Sequence, residues 1–104
     1  MSEHSNQQNN LVVYGRDSCP QSRMLHNSLD RESIVYEWRD ITTGEKRYQD
    51  ELRELTGGNL SVPTVIFADG SVMIEPWPKE VLNRYRHRPK GILAKIMMFF
   101  QRNG

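Results

Sequence analysis

Apolar positions along the chain fall into short blocks separated by turn-forming residues. Leu11, Val12, Val13 and Tyr14 form a continuous apolar run, the pattern of a strand covered on both faces. Gly15 to Ser18 read as a turn. Pro20 suits the first position of a helix, where its missing N–H leaves nothing unsatisfied, and Met24, Leu25 and Leu29 then recur at helical spacing. Ile34, Tyr36 and Trp38 alternate with Val35 and Glu37, which predicts a second strand over 34–38. Residues 44–56 are charged but place Tyr48, Leu52 and Leu55 on one face, with Gly57 positioned to end the helix. Val62 to Phe67 predict a third strand, Asp69-Gly70 a tight hairpin turn, and Ser71 to Ile74 a fourth strand. Pro78 to Tyr85 predict a third helix packing through Val81, Leu82 and Tyr85.

The predicted order is β-α-β-α-β-β-α. A helix crosses between the first two strands, so they must be parallel, with a right-handed crossover. The last two form an antiparallel hairpin. An α/β fold with a four-stranded mixed sheet and helices on both faces follows.

Composition narrows the class. The chain has 104 residues, 37% hydrophobic and 26% charged, which fits one soluble globular domain. Residues 1–10 are polar and read as a disordered lead-in; they lack the basic segment and apolar run of a signal peptide. The domain is expected over 11–86 and a basic, apolar helical extension over 87–104. The net charge of +1 hides a division: −5 over residues 1–83 and +6 over 84–104. One cysteine excludes an internal disulfide and a multi-cysteine zinc site, so a reducing cytoplasm is the expected location. His4, His26 and His87 are dispersed, and no metal site is expected.

That cysteine, Cys19, falls where the first strand hands over to the first helix. Free N–H groups and the helix dipole favour an anion there, hence thiolate over thiol. Such a position, with Arg16 nearby, predicts ionisation below the free value of about 8.5. Ser22, three residues on, stands where a Cys-x-x-Cys enzyme carries its resolving thiol. A serine can donate a hydrogen bond to the thiolate but cannot attack a mixed disulfide. Trp77 is expected to pack the start of the third helix rather than line a groove.

The run LVVYGRDSCPQS, residues 11–22, resembles the active-site strand, loop and helix start of glutaredoxins, which have a thioredoxin-like fold. SVPTVIFADGS, residues 61–71, resembles their second signature, in which a proline preceded by a cis bond lies beside the active-site cysteine. The longer stretch GGNLSVPTVIFADGS is especially similar to the mycoredoxins, glutaredoxin-like proteins that act on mycothiol mixed disulfides. Arg16 is similar to the lysine often found there in glutaredoxin-like electron donors of ribonucleotide reductase. The resemblance implies catalytic roles for Cys19 and Ser22 and substrate-binding roles for Arg16, Pro20, Gln21, Val62, Pro63, Asp69 and Gly70. It also implies a cis bond between Val62 and Pro63, with the Val62 backbone pairing with a bound cysteinyl substrate. Two departures stand out. Cys19-Pro20-Gln21-Ser22 replaces Cys-x-x-Cys and is not the Cys-Gly-Phe-Ser of cluster-bridging glutaredoxins. Glu75-Pro76-Trp77 does not reproduce the Gly-Gly and Asp pattern that holds the glutamyl carboxylate of glutathione.

The expected function is reduction of protein mixed disulfides with a low-molecular-weight thiol, glutathione or mycothiol, by a one-cysteine mechanism and without a tightly bound cofactor. The alternative is a non-catalytic module that holds a thiol ligand, a partner protein or an iron–sulfur cluster. The expected partners are mixed-disulfide proteins and the small thiol, with no nucleic acid, and the expected state is a monomer. The tail ILAKIMMFF, residues 92–100, is apolar at eight of nine positions and follows the basic cluster from Arg84 to Lys90. It is read as a fourth helix packing on the domain, a self-association surface, or a peripheral membrane contact. Each reading buries Ile92, Ile96 and Phe99 or Phe100.

Overall fold

The computed structural model describes residues 11–87. The lead-in over 1–10 and the extension over 87–104 lie outside that range, His87 excepted. Seven elements follow in the expected order: β1 Leu11–Gly15, α1 Pro20–Arg31, β2 Tyr36–Asp40, α2 Arg47–Thr56, β3 Thr64–Ile66, β4 Val72–Ile74 and α3 Pro78–Arg86. The sheet order is β2-β1-β3-β4. β1 runs parallel to β2, from Leu11 opposite Tyr36 to Gly15 opposite Asp40. It runs antiparallel to β3, which pairs antiparallel with β4.

The alternation of β1 divides the core in two. Leu11 and Val13 pack with Leu25 and Leu29 of α1 and Val81 of α3 on one face. Val12 and Tyr14 face the other way, towards Leu52 of α2 and Val62. Tyr14 is also tied across elements. Its hydroxyl donates to Glu51 at 2.7 Å, and Arg39 donates to both Tyr14 and Glu51, at 2.7 and 2.8 Å. Burial, with the Glu51 bond behind it, pushes the Tyr14 hydroxyl up to about 12. No helix among the described residues is long and apolar enough to cross a membrane.

The differences from the expected boundaries have local causes. The second strand keeps its predicted phase but starts two residues later, at Tyr36; Ile34 is buried just before it, after Ser33 with φ +57°. The second helix begins at Arg47 rather than Gly44, because the Asp40 carboxylate takes the N–H groups of Thr42 and Thr43 and holds that stretch in a turn. Gly57 does end the helix, at φ +85°. The β3–β4 connection is longer than a two-residue turn. Gly70 donates to Phe67 at 2.9 Å, Phe67 donates to Ser71 at 2.8 Å, and Gly70 sits at φ +91°. In α1 the buried face is Ser22, Leu25, Ser28 and Leu29, while Met24 is 46% exposed. Positions 22, 25 and 29 share a stripe that 24 does not, and two serines take places where only apolar residues were sought.

Gly15, buried at the end of β1, has no room for a side chain, because a Cβ there would clash with the edge of the Trp38 ring. Gly15→Ala is therefore expected to cost about 1–3 kcal/mol, the usual range for overpacking. A urea titration checks this. An unchanged midpoint would mean that the ring moves aside freely.

Candidate active site

Cys19 is the N-cap of α1, with extended backbone at φ −92° and ψ 118°, and Pro20 opens the helix behind it. The residues before it form a turn, closed by the Cys19 N–H donating to the Arg16 carbonyl at 2.9 Å. The strand-to-helix turn thus presents the thiol, partly exposed, to the unpaired N–H groups of the first helical turn. Burial pushes the Cys19 thiol up and is the largest single influence on it. The Ser22 hydroxyl, the backbone N–H groups of Ser22 and Gln21, and the Arg16 charge act against it. Together they prevail and hold Cys19 below its ordinary value.

Ser22 is fully buried. The Arg16 N–H donates to Ser22 Oγ at 3.2 Å. With that lone pair taken, the hydroxyl hydrogen is free to point at Cys19. Arg16 thus contributes through its backbone as well as its charge. Its Nε is buried and has no hydrogen-bond partner among the described residues.

Val62 and Pro63 come from a distant part of the chain to the same place. Their peptide bond is cis. Val62 packs in the cluster that contains Cys19, and Pro63 is fully buried. The Pro63 carbonyl accepts from the Glu75 N–H at 2.7 Å, which brings the β4–α3 connection to this edge. Glu75 is left-handed at φ +52°, and Trp77 beyond it is 59% exposed, contrary to the packing role expected of it. The Trp77 backbone is fixed instead by Glu80, whose carboxylate accepts the Trp77 N–H at 2.8 Å.

The structure therefore gathers Cys19, Ser22, Arg16, Pro20, Gln21, Val62 and Pro63. It does not bring Asp69 and Gly70 with them. Those two residues lie in the β3–β4 turn, at the opposite end of β3 from Pro63. The Asp69 carboxylate is taken up by the Ser71 N–H and hydroxyl at 2.9 and 2.7 Å and by Arg84 at 2.7 Å. A groove lined by Met73, Glu80, Asn83, Arg84 and His87 lies between β4 and α3 and shares no residue with the cysteine site.

One participant had no sequence motif to announce it. Asp40, at the end of β2 and only 6% exposed, accepts the Asp17 N–H on one oxygen at 2.9 Å. Its other oxygen accepts from Thr42 and Thr43 at 2.8 and 2.9 Å. The available signal was Asp40-Ile41-Thr42-Thr43-Gly44, an Asp with turn residues two and three positions on, an Asx-turn pattern. Burial pushes this carboxyl up, but the three N–H donors outweigh it and bring Asp40 from 3.8 down to about 2. A carboxylate depressed in the folded state stabilises fully above its unfolded value and is lost as pH falls through the folded one. Acid is therefore expected to remove about 2 kcal/mol of stability between about pH 4 and pH 2. Urea midpoints across that window check it, and Asp40→Asn should flatten the slope there.

A strand–turn–helix with a stabilised thiolate at the helix start, facing a cis-proline loop, defines a thiol–disulfide exchange site on a thioredoxin-like fold. Two solved structures share that fold: the glutaredoxin grx-1 from Archaeoglobus fulgidus, with a TM-score of 0.62 and 22% identity over 72% of this chain and 84% of that one; and the thioredoxin-like protein BC3987, with a TM-score of 0.60 and 24% identity over 72% and 97%. The glutaredoxin family profile matches residues 11–73. Mycoredoxin 1 from Corynebacterium glutamicum is 32% identical over 73 residues, 70% of this chain and 89% of the relative. The chain belongs to the glutaredoxin family, whose role is thiol–disulfide oxidoreduction.

Proposed function

We propose that the protein reduces mixed disulfides between proteins and a low-molecular-weight thiol by a cycle that uses Cys19 alone. The Cys19 thiolate attacks the small-thiol sulfur, the mixed S–S bond breaks, and the protein thiolate leaves and takes a proton from solvent. A second small-thiol molecule, as thiolate, attacks the small-thiol sulfur now on Cys19. The small disulfide departs, the two electrons given up by the small thiols have gone to the protein thiol released in the first step, and Cys19 is a thiolate again.

The observation that carries this reading is Ser22. It is buried, its hydroxyl is among the groups that hold the Cys19 thiol below its ordinary value, and the chain holds no second thiol to resolve the adduct. In the same reading Arg16 and the Gln21 N–H stabilise the attacking sulfur, Pro20 sets the helix start, and the Val62 backbone pairs with the cysteinyl part of the substrate while Pro63 shapes the bend. Mycothiol is the preferred small thiol, on the strength of the relative named mycoredoxin, with glutathione the alternative. A reducing cytoplasm suits a protein whose single thiol must stay free. The test is intact mass after exposure to protein mixed disulfides of each thiol. The expected result is one adduct on Cys19, released by a second equivalent of the same thiol. No adduct from either would overturn the reading.

A further inference from the structure

We infer that Asp40 is a positioning residue for Cys19: it anchors the active-site turn to the rest of the domain and so keeps the Arg16 N–H on Ser22 beside the sulfur. This deepens the reading of Cys19 as the nucleophile and rests on it.

The turn runs Arg16-Asp17-Ser18-Cys19 and has three hydrogen-bonded ties. The Cys19 N–H closes it on the Arg16 carbonyl, and the Arg16 N–H is held by Ser22 Oγ. Both ties are internal to the loop and the helix it starts. The third reaches the rest of the domain, because the Asp17 N–H donates to Asp40 Oδ2 on β2. Asp40 is itself fixed. Its strand pairs with β1 at Gly15, the Ile41 N–H donates to the Gly15 carbonyl at 3.0 Å, and its second oxygen is occupied by Thr42 and Thr43. The carboxylate therefore joins the β1–α1 turn to the β2–α2 turn.

The link to the cysteine runs through Ser22. A turn that drifts carries the Arg16 N–H away from Ser22 Oγ, and the hydroxyl is then free to rotate off the sulfur. Arg16, Asp17 and Asp40 bring charge to the turn. Two competing effects give opposite signs. If Asp40 acted on Cys19 mainly as a nearby anion, removing it would favour the thiolate and lower the cysteine midpoint. If it acts as an anchor, removing it raises the midpoint. Its charge already meets three N–H donors, which favours the second.

The chain has one cysteine, so its alkylation by iodoacetamide, followed by intact mass across pH, reads Cys19 alone. Asp40→Asn is expected to raise the midpoint by about one unit, roughly tenfold less thiolate below both midpoints. Asp17→Pro deletes the N–H that Asp40 receives while leaving Asp40 itself in place, at a turn position where proline is favoured. It should raise the midpoint too, although it also removes a negative charge. Val81→Ala, a core change in α3, should lower the melting temperature and leave the Cys19 midpoint in place. A midpoint unmoved or lowered in both turn variants, or raised equally in Val81→Ala, would overturn the inference. A wild-type midpoint at or above the free-cysteine value would instead overturn the nucleophile reading itself.

Discussion

A Ser22→Cys variant is expected to close an internal disulfide with Cys19 and to gain a dithiol route that the wild-type chain lacks. The Ser22 hydroxyl already reaches the Cys19 sulfur, so a thiol there meets the same atom. It approaches from the buried side, where no second small-thiol molecule can stand. An adduct on Cys19 would then be resolved from within. A group held in place acts at an effective concentration far above that of any dissolved thiol, so the adduct should live at least about 100-fold less long. Sulfur accepts the Arg16 N–H less well than oxygen, which costs the variant about 1 kcal/mol. Intact mass after mild oxidation gives the answer. The variant should lose two hydrogens, while the wild type keeps the small-thiol adduct. A stable adduct on the variant, with no internal disulfide, would show that position 22 does not resolve.

The largest stability effect is expected at Leu25. It is fully buried between α1 and the sheet, with Val13, Val65 and Val81 in its cluster. Leu25→Ala removes that packing and leaves a cavity, for a cost of about 2–5 kcal/mol. For a domain whose total stability is about 5–15 kcal/mol, that is enough to populate unfolded chain at moderate temperature. Met24→Ala, one residue away and 46% exposed, should change stability by less than about 0.5 kcal/mol. Urea titrations of the two variants test the contrast. Equal losses would mean that the helix face is assigned wrongly.

The element order and the covering of the sheet on both faces were legible because β1 is a continuous apolar run, the second strand alternates, and the helices repeat their apolar positions at helical spacing. Cys19 was legible because a cysteine followed by proline at a strand-to-helix junction has few structural uses. The boundaries that shifted did so where side chains capture backbone groups: Asp40 shortens α2 from the front, and the Phe67–Ser71 contacts lengthen the hairpin connection. No apolar periodicity registers such bonds. Ser22 was recognised for its spacing from Cys19, but its burial and its bond from the Arg16 N–H emerge only once the turn is folded. Trp77 was misread for a different reason. Large aromatic residues are most often packed, and composition alone does not reveal one held out on a fixed backbone. Asp69 and Gly70 travelled with a signature that spans the whole β3–β4 hairpin, whose two ends serve different places.

The hydrogen bonds that gather around Cys19 also govern how the sulfur departs. In the second half of the proposed cycle Cys19 is expelled rather than attacking, and a thiol of low pKa leaves faster. The Ser22 hydroxyl and the Ser22 and Gln21 N–H groups wait for the negative charge that appears on the sulfur as the bond to the small thiol breaks. The adduct is accordingly a brief passenger, discharged readily by the next thiol, and the resting form towards which the fold pulls is the reduced one.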